Sequence, residues 1–498
     1  MDVALEQIDQ TGAAALRAER SEIFRVRLAR FFEQAAFYIV LVAVPAAAFF
    51  FGGVDPWIQG ALAALFALAG AFRVGASVAA GSSFFEQPAA LMLVPAAGIA
   101  LLAVVQSAAW FDYFPAAAAR DSILFAGSRT ISAAPFETVW FALIFSSYLI
   151  ALDVLFFTVN RQRLRILTGT VIAVGTASAA FGLFRVGMSG NEPSFISEML
   201  APGTGFAQFF NRNHFVFLME MTIGLLLGLA LKGDTGKELR YFTGLLIVFL
   251  TVVTISVNSR GGLLSVAFVI SSGFFLHFLT KRKSGARRTR TDWLKRASIG
   301  TAAAAGFIGL LVIYIALVGG DPVVKRVEVL QQEIDMTSEE NAEQIDRKKI
   351  WAASLELIGE YPIAGAGFGA YPAAITRFDR SGGRFSLEQA HNDYLEIAAG
   401  GGILAVVLTL VFGGLAAAFF RRQFRSADRF RRAACFGAAL AVIGVMLHSS
   451  VEFGLHTPVN FLLFLMLIVI GTARVEEDVT DYEREISLRR ESTEAGGW

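Results

Sequence analysis

A single cysteine in 498 residues excludes an intrachain disulfide and any cysteine-based metal centre. That residue, Cys435, sits in an apolar run, where a thiol serves as a small buried hydrophobe. Charge is scarce as well. Asp, Glu, Lys and Arg make up 17% of the chain, where soluble domains carry about a quarter, and this rules out a soluble protein of two or three domains. The net charge is only +1, and the basic residues fall in short clusters between apolar blocks. That distribution leaves no electrostatic footprint for nucleic acid. The first ~33 residues are mixed in charge and lack the apolar core of a secretory signal, so no cleavable signal peptide is expected. No internal repeat stands out at solenoid periods.

What the chain has in excess is apolar length: 55% of it is hydrophobic, with a mean hydropathy of +0.57. A helix crosses the hydrocarbon core with about 20 mostly apolar residues. Twelve runs qualify, near 35–52, 57–75, 89–107, 136–159, 164–187, 214–231, 241–258, 261–280, 298–318, 401–420, 433–450 and 457–473. The weakest are the second, which Arg73 interrupts, and the last two. The expected fold is therefore an all-α integral membrane protein of about twelve transmembrane helices. Residues 1–34 form an N-terminal segment, 35–318 the first nine spans, 319–400 a large outer loop, 401–473 the last three spans and 474–498 a polar tail. Within the first segment, Arg17 to Gln34 reads as a helix with Phe24, Leu28, Phe31 and Phe32 on one face. Such a helix suits an anionic membrane surface or, equally, plain solvent.

Loop charge sets an expected orientation. Arg161, Arg163 and Arg165 follow the fourth span, and Lys232, Lys237 and Arg240 follow the sixth. Lys281 to Arg296 holds eight Lys or Arg, and Arg421 to Arg432 holds six. If the segments alternate, all four loops share one side, which the positive-inside rule makes cytoplasmic, and both termini lie there too. The short opposite loops, Gly52 to Pro56 and Ser449 to His456, contain no Lys or Arg. The outer side then carries loops near 108–135 and 188–213 and the large loop at 319–400.

Polar patches gather on that outer side, where intramembrane-level ionisable groups usually mark function. Asn258-Ser259-Arg260-Gly261-Gly262 places a guanidinium at a helix start, which favours an anion; it equally suits an interfacial anchor with closely packing glycines. Arg347-Lys348-Lys349-Ile350-Trp351 is either a solvated helix face or a surface for a polyanionic headgroup. It leads into Tyr361-Pro362-Ile363-Ala364-Gly365-Ala366-Gly367-Phe368-Gly369. The alternating glycines there follow no strand and open no βαβ helix, so a dinucleotide site is excluded. His391-Asn392-Asp393-Tyr394-Leu395-Glu396 offers an imidazole beside carboxylates, a general-base arrangement, although a lone histidine is more often structural. His448, Glu452 and His456 share the last outer turn, with neither a recognised ligand spacing nor an evident third ligand for a metal. Phe209-Phe210-Asn211-Arg212-Asn213-His214 adds a fifth patch.

Taken in order, Phe210 to His214, Ser259 to Gly262, Arg347 with Trp351, Tyr361 to Gly369 and His391 to Glu396 resemble the O-antigen ligase and O-antigen polymerase superfamily of bacterial membrane glycosyltransferases. The resemblance covers roughly residues 205 to 420; the first 200 match only as a helix count. It implies a GT-C-like fold of about twelve helices with a large periplasmic loop between the ninth and tenth, in the bacterial inner membrane. It also implies a reaction. A glycan is taken from undecaprenyl pyrophosphate and passed to a sugar hydroxyl on lipid A-core (ligases) or on a second lipid-linked glycan (polymerases), with inversion and without a metal or other cofactor. By motif match, Arg260 and Arg347 would grip the pyrophosphate with Arg212 helping, and His391 would take the acceptor proton. Asn392 or Glu396 would orient it, and Tyr361 to Gly369 would form a close-packed turn beneath. No clean pair of polymerase-type arginine repeats occurs in the outer loops, which leans toward a ligase. A small-anion transporter and a structural scaffold are the alternatives. A transporter would place ionisable groups near the bilayer midplane, and a scaffold leaves a histidine beside clustered arginines unexplained.

Overall fold

The computed structural model describes residues 2–81, 87–108, 130–188, 205–233, 236–257, 259–280, 347–380 and 387–475, with isolated helical positions between 294 and 309. Among the described residues, ten helices are long and apolar enough to cross a membrane, and no strand occurs. The protein is an all-α, multi-pass membrane protein. Its helices are α1 (Asp2–Phe49), α2 (Pro56–Ala80), α3 (Leu93–Ser107), α4 (Pro135–Thr158), α5 (Arg161–Met188), α6 (Arg212–Lys232), α7 (Lys237–Val257) and α8 (Arg260–Thr280). After these come α9 (Arg347–Glu360), the short α10 (Tyr371–Ile375), α11 (Asp393–Gln423), α12 (Arg429–His448) and α13 (Pro458–Thr472). The expected ninth span, the basic run Lys281 to Arg296, most of loops 108–135 and 188–213, the first part of the loop at 319–400 and nearly all of the tail lie outside the described residues.

Sequence chemistry accounts for the helix limits. No Gly or Pro falls between Ala13 and Val44, so α1 runs unbroken from the expected surface segment into the first span. Pro56 opens α2 at a position where a missing N–H costs nothing, and Gly81 closes it with φ +65°. Arg73, which weakened the second span on paper, is buried and neutralised there. Its Nε lies 2.8 Å from Asp153 of α4, and its guanidinium sits 4.2 Å over the Phe157 ring. An ionisable group in a span is tolerated when paired in this way.

Helix α6 is the central post, packed by α5, α7, α8, α12 and α13. Small residues let it approach α12 closely: a Cβ on Gly224 would meet the Ala441 backbone at 2.7 Å. Helix α13 has 15 residues, which at about 1.5 Å each is shorter than a ~30 Å hydrocarbon core.

The basic turns gather at one end. Arg161 pairs with Asp428 at 3.0 Å, Arg165 lies 5.3 Å from the Phe430 ring and Lys232 5.2 Å from that of Phe436. The starts of α6, α8 and α11 and the end of α12 form the opposite end, and the polar patches collect there.

Candidate active site

Each wall of the site is a helix terminus. Asn211 caps α6 by accepting from Asn213 N at 2.8 Å. Ser259 caps α8, its Oγ accepting from Gly262 N at 3.2 Å. Asn392 caps α11, accepting from Tyr394 N and Leu395 N at 3.0 and 3.1 Å. Three capped N-termini direct unsatisfied backbone N–H groups toward the same end of the molecule, which favours negative charge there. The turn between α12 and α13 completes the site. It is stitched to α11 by Asp393 N on Ser449 O (2.9 Å), Asn392 Nδ2 on Ser450 O (2.8 Å) and Tyr394 Oη on Met446 O (2.6 Å).

Glu452, in that turn, is the hub. Only 2% of its side chain is exposed, and it receives three groups from three separate stretches of chain. Arg347 of α9 donates to Oε1, Asn213 Nδ2 donates to the same oxygen at 2.7 Å, and His391 Nδ1 lies 3.4 Å from Oε2. Burial alone would raise the pKa of this carboxyl, but the His391 hydrogen bond and the Arg347 charge outweigh it. Glu452 is held below the usual carboxylate range and stays ionised. Beside it the Phe453 ring meets three imidazoles edge-on, with centroids 4.7 Å from His214, 5.0 Å from His391 and 5.6 Å from His456. His391 itself adopts φ +47°, a conformation L residues avoid, so its presentation is set by its surroundings rather than by local preference.

The structure brings some of the sequence-derived residues together and separates others. His391 and Arg347 meet through Glu452. Arg212 is exposed at the rim of a cleft of about 680 Å³, whose walls include Phe206, Phe210, Leu183 and Val186. Arg260 opens α8; its side chain lies outside the described part, so its backbone alone is placed. Asn392 and Glu396, which the motif offers as groups to orient the imidazole, hold other hydrogen-bond partners. Asn392 is occupied by the helix cap and Ser450. Glu396 Oε2 accepts from Ala390 N at 3.3 Å, and its Oε1 faces His456 at 3.7 Å. The imidazole's Nδ1 faces Glu452.

The turn between α12 and α13 does not converge as a single ligand set. His448 turns inward to Glu220 at 2.7 Å, Glu452 faces Arg347 and His391, and His456 faces Asp393 at 3.4 Å. From the sequence, Glu452 stands only as a carboxylate between two histidines, weighed with them for a metal and given no role of its own. The signal that marks it is a lone carboxylate in a short turn without Lys or Arg, opposite the basic end.

The Tyr361–Gly369 segment is a packed wedge that breaks α11. Gly402 has φ +59° inside that helix, and the freed backbone pairs with the wedge: Ala366 N on Ala399 O (2.8 Å), Gly367 N on Gly400 O (3.0 Å) and Ile403 N on Pro362 O (2.8 Å). Buried Gln106 of α3 locks the joint by donating to Ala364 O (2.5 Å) and Gly400 O (2.7 Å) and accepting from Phe368 N (3.2 Å). Gly365, Gly367 and Gly369 all carry positive φ, so the alternating glycines are conformational requirements. This wedge fixes the start of α11, and with it His391.

Two comparisons with known proteins bear on this end of the chain. The family described as O-antigen ligase matches residues 245–410, a third of the chain that includes Arg260, Arg347 and His391. No curated protein matches the chain.

Proposed function

From the premise that residues 245–410 of this multi-pass membrane protein form an O-antigen ligase domain, we propose that the chain transfers a polysaccharide from undecaprenyl pyrophosphate to a sugar hydroxyl. The reaction takes place at the periplasmic face of a bacterial inner membrane. The orientation is supported by the basic turns at the opposite end, which the positive-inside rule puts in the cytoplasm. The observation that carries the reading is Glu452, on which Arg347, His391 and Asn213 converge from three motif patches.

The chemistry follows from the geometry. The acceptor hydroxyl attacks the anomeric carbon from the face opposite the pyrophosphate, the new C–O bond forms as the old one breaks, and the configuration inverts. With Nδ1 turned to Glu452, His391 presents Nε2 to the acceptor hydroxyl and takes its proton. The ionised Glu452 holds that tautomer and stabilises the imidazolium that results, as the acid does in a nucleophile–histidine–acid triad. Charge builds on the departing pyrophosphate. The N-terminus of α8 with Arg260, the half-exposed Arg347 and the rim Arg212 supply preorganised positive potential for it. The donor is a lipid-linked glycan, and lipid A-core or a similar sugar is the acceptor; a polymerase would run the same step on a second lipid-linked glycan.

Gene deletion followed by electrophoresis of the surface polysaccharide tests the reading. Loss of lipid A-linked polymer with accumulation of the lipid-linked form is the expected result. Collapse of long chains to single repeats would mark a polymerase, and an unchanged profile would refute the transfer reading.

A further inference from the structure

Beneath the site lies a pair of ionisable groups that the transfer step does not use. Glu220 of α6 and His448 of α12 are both wholly buried, with Oε1 and Nδ1 2.7 Å apart. The imidazole is stacked on Phe217, 4.3 Å between centroids and 16° from parallel. Its other nitrogen, Nε2, is buried and has no hydrogen-bond partner among the described residues, as is also true of Glu220 Oε2. An unsatisfied buried polar atom costs free energy and calls for a reason.

Two neighbours give the reason. Nε2 faces the first turn of α8: a Cβ on Gly261 would stand 3.4 Å from it and 3.2 Å from Val451 Cγ2. Gly261, in the first turn of α8, thus stands against the edge of this imidazole, and Ser265 one turn further on donates to Gly444 O of α12 at 3.0 Å. The backbone of the same residue carries the other half of the site. His448 O accepts from Val451 N at 2.9 Å and from Glu452 N at 3.0 Å. One residue therefore supports the anion-binding helix start with its ring and the Glu452 hub with its carbonyl, while Glu220 fixes its rotation.

We propose that the Glu220–His448 pair is a positioning device for the pyrophosphate end of the site, setting the height and tilt of the Arg260–Gly262 turn relative to Glu452. The proposal rests on the transfer reading. Glu220 and His448 touch no substrate. They act through the start of α8, while the backbone carbonyl that holds Glu452 survives any change of the His448 side chain, so their loss weakens engagement of the donor and leaves the acceptor side intact.

The test uses the purified full-length protein in detergent or proteoliposomes, with purified lipid-linked polysaccharide as donor at varied concentration. His448→Leu removes the polar ring. Glu220→Gln keeps the ring and an acceptor for its Nδ1–H. His448→Leu is expected to raise the donor KM about 10-fold, leaving the acceptor KM unmoved, and Glu220→Gln to raise it far less. A wild-type donor KM in His448→Leu, or equal impairment in both variants, would overturn the proposal. If His448→Leu yields little folded protein, Glu220→Leu is measured instead, and an unchanged donor KM in that variant also overturns it. Absence of transfer by the wild-type protein is a different failure: it refutes the transfer reading and the positioning proposal with it.

Discussion

Glu452 lies 105 residues from Arg347 and 61 from His391 along the chain, yet both side chains end on its carboxylate. A buried charge with three donors is stabilised by those donors and in turn orients them, so removing it disturbs all three. Glu452→Gln keeps the volume and removes the charge; transfer is expected to fall by about 10-fold to 100-fold, read as kcat with the acceptor saturating. The sign of the pH dependence follows from the same group. Its pKa in the folded protein is depressed, so its stabilisation is complete above the ordinary carboxylate pKa and is lost as pH falls through the depressed value. The wild-type melting temperature is expected to drop on acidification below about pH 4, and Glu452→Gln to drop less. Equal acid sensitivity in the two proteins would contradict this. At this scale the sequence disclosed the residue types but not their pairing. His391 and the arginines were legible as motif members, whereas the pairing of Glu452 across these separations depends on tertiary contacts that no local pattern encodes.

Helix α11 owes its break to three successive glycines meeting the Tyr361–Gly369 wedge. A Cβ at Gly402 would collide with the Ile363 carbonyl at a φ that L residues avoid. Gly402→Ala is expected to destabilise the protein by about 2 kcal/mol or more, seen as a lower melting temperature in detergent. Gln106 is wholly buried and serves three backbone groups at this joint. Gln106→Leu leaves Ala364 O and Phe368 N unsatisfied at about 1–3 kcal/mol each before relaxation, and the loss of stability is expected to match or exceed that of Gly402→Ala. The wedge itself was readable, because alternating glycines outside a βαβ unit point to tight backbone packing. Its insertion into a membrane helix was not readable, since Gly400 to Gly402 look like ordinary small residues of an apolar run.

Among the described residues, ten of the twelve apolar runs are helices long and apolar enough to cross a membrane, because twenty-residue hydrophobicity is a local property with a single physical cause. The differences have local causes too. Arg73 fits a span because Asp153 meets it across the bundle, and α13 runs only from Pro458 to Thr472. Orientation is testable with the protein's own chemistry, since Cys435 is buried and leaves the surface free of thiols among the described residues. Single cysteines at Glu356 and Arg425, on opposite ends, are expected to react differently with a membrane-impermeant maleimide on intact spheroplasts. Glu356→Cys is labelled and Arg425→Cys is not; the reverse pattern would put the site in the cytoplasm.

The central claim is that an imidazole aligned by Glu452 removes the acceptor proton while positive groups receive the leaving pyrophosphate. Single-turnover transfer by the purified wild-type protein and by His391→Ala, with release of undecaprenyl pyrophosphate as the readout, tests it most directly. The variant is expected to insert and melt like the wild type and to transfer about 100-fold to 10,000-fold more slowly. Transfer at a near wild-type rate by His391→Ala would contradict the account.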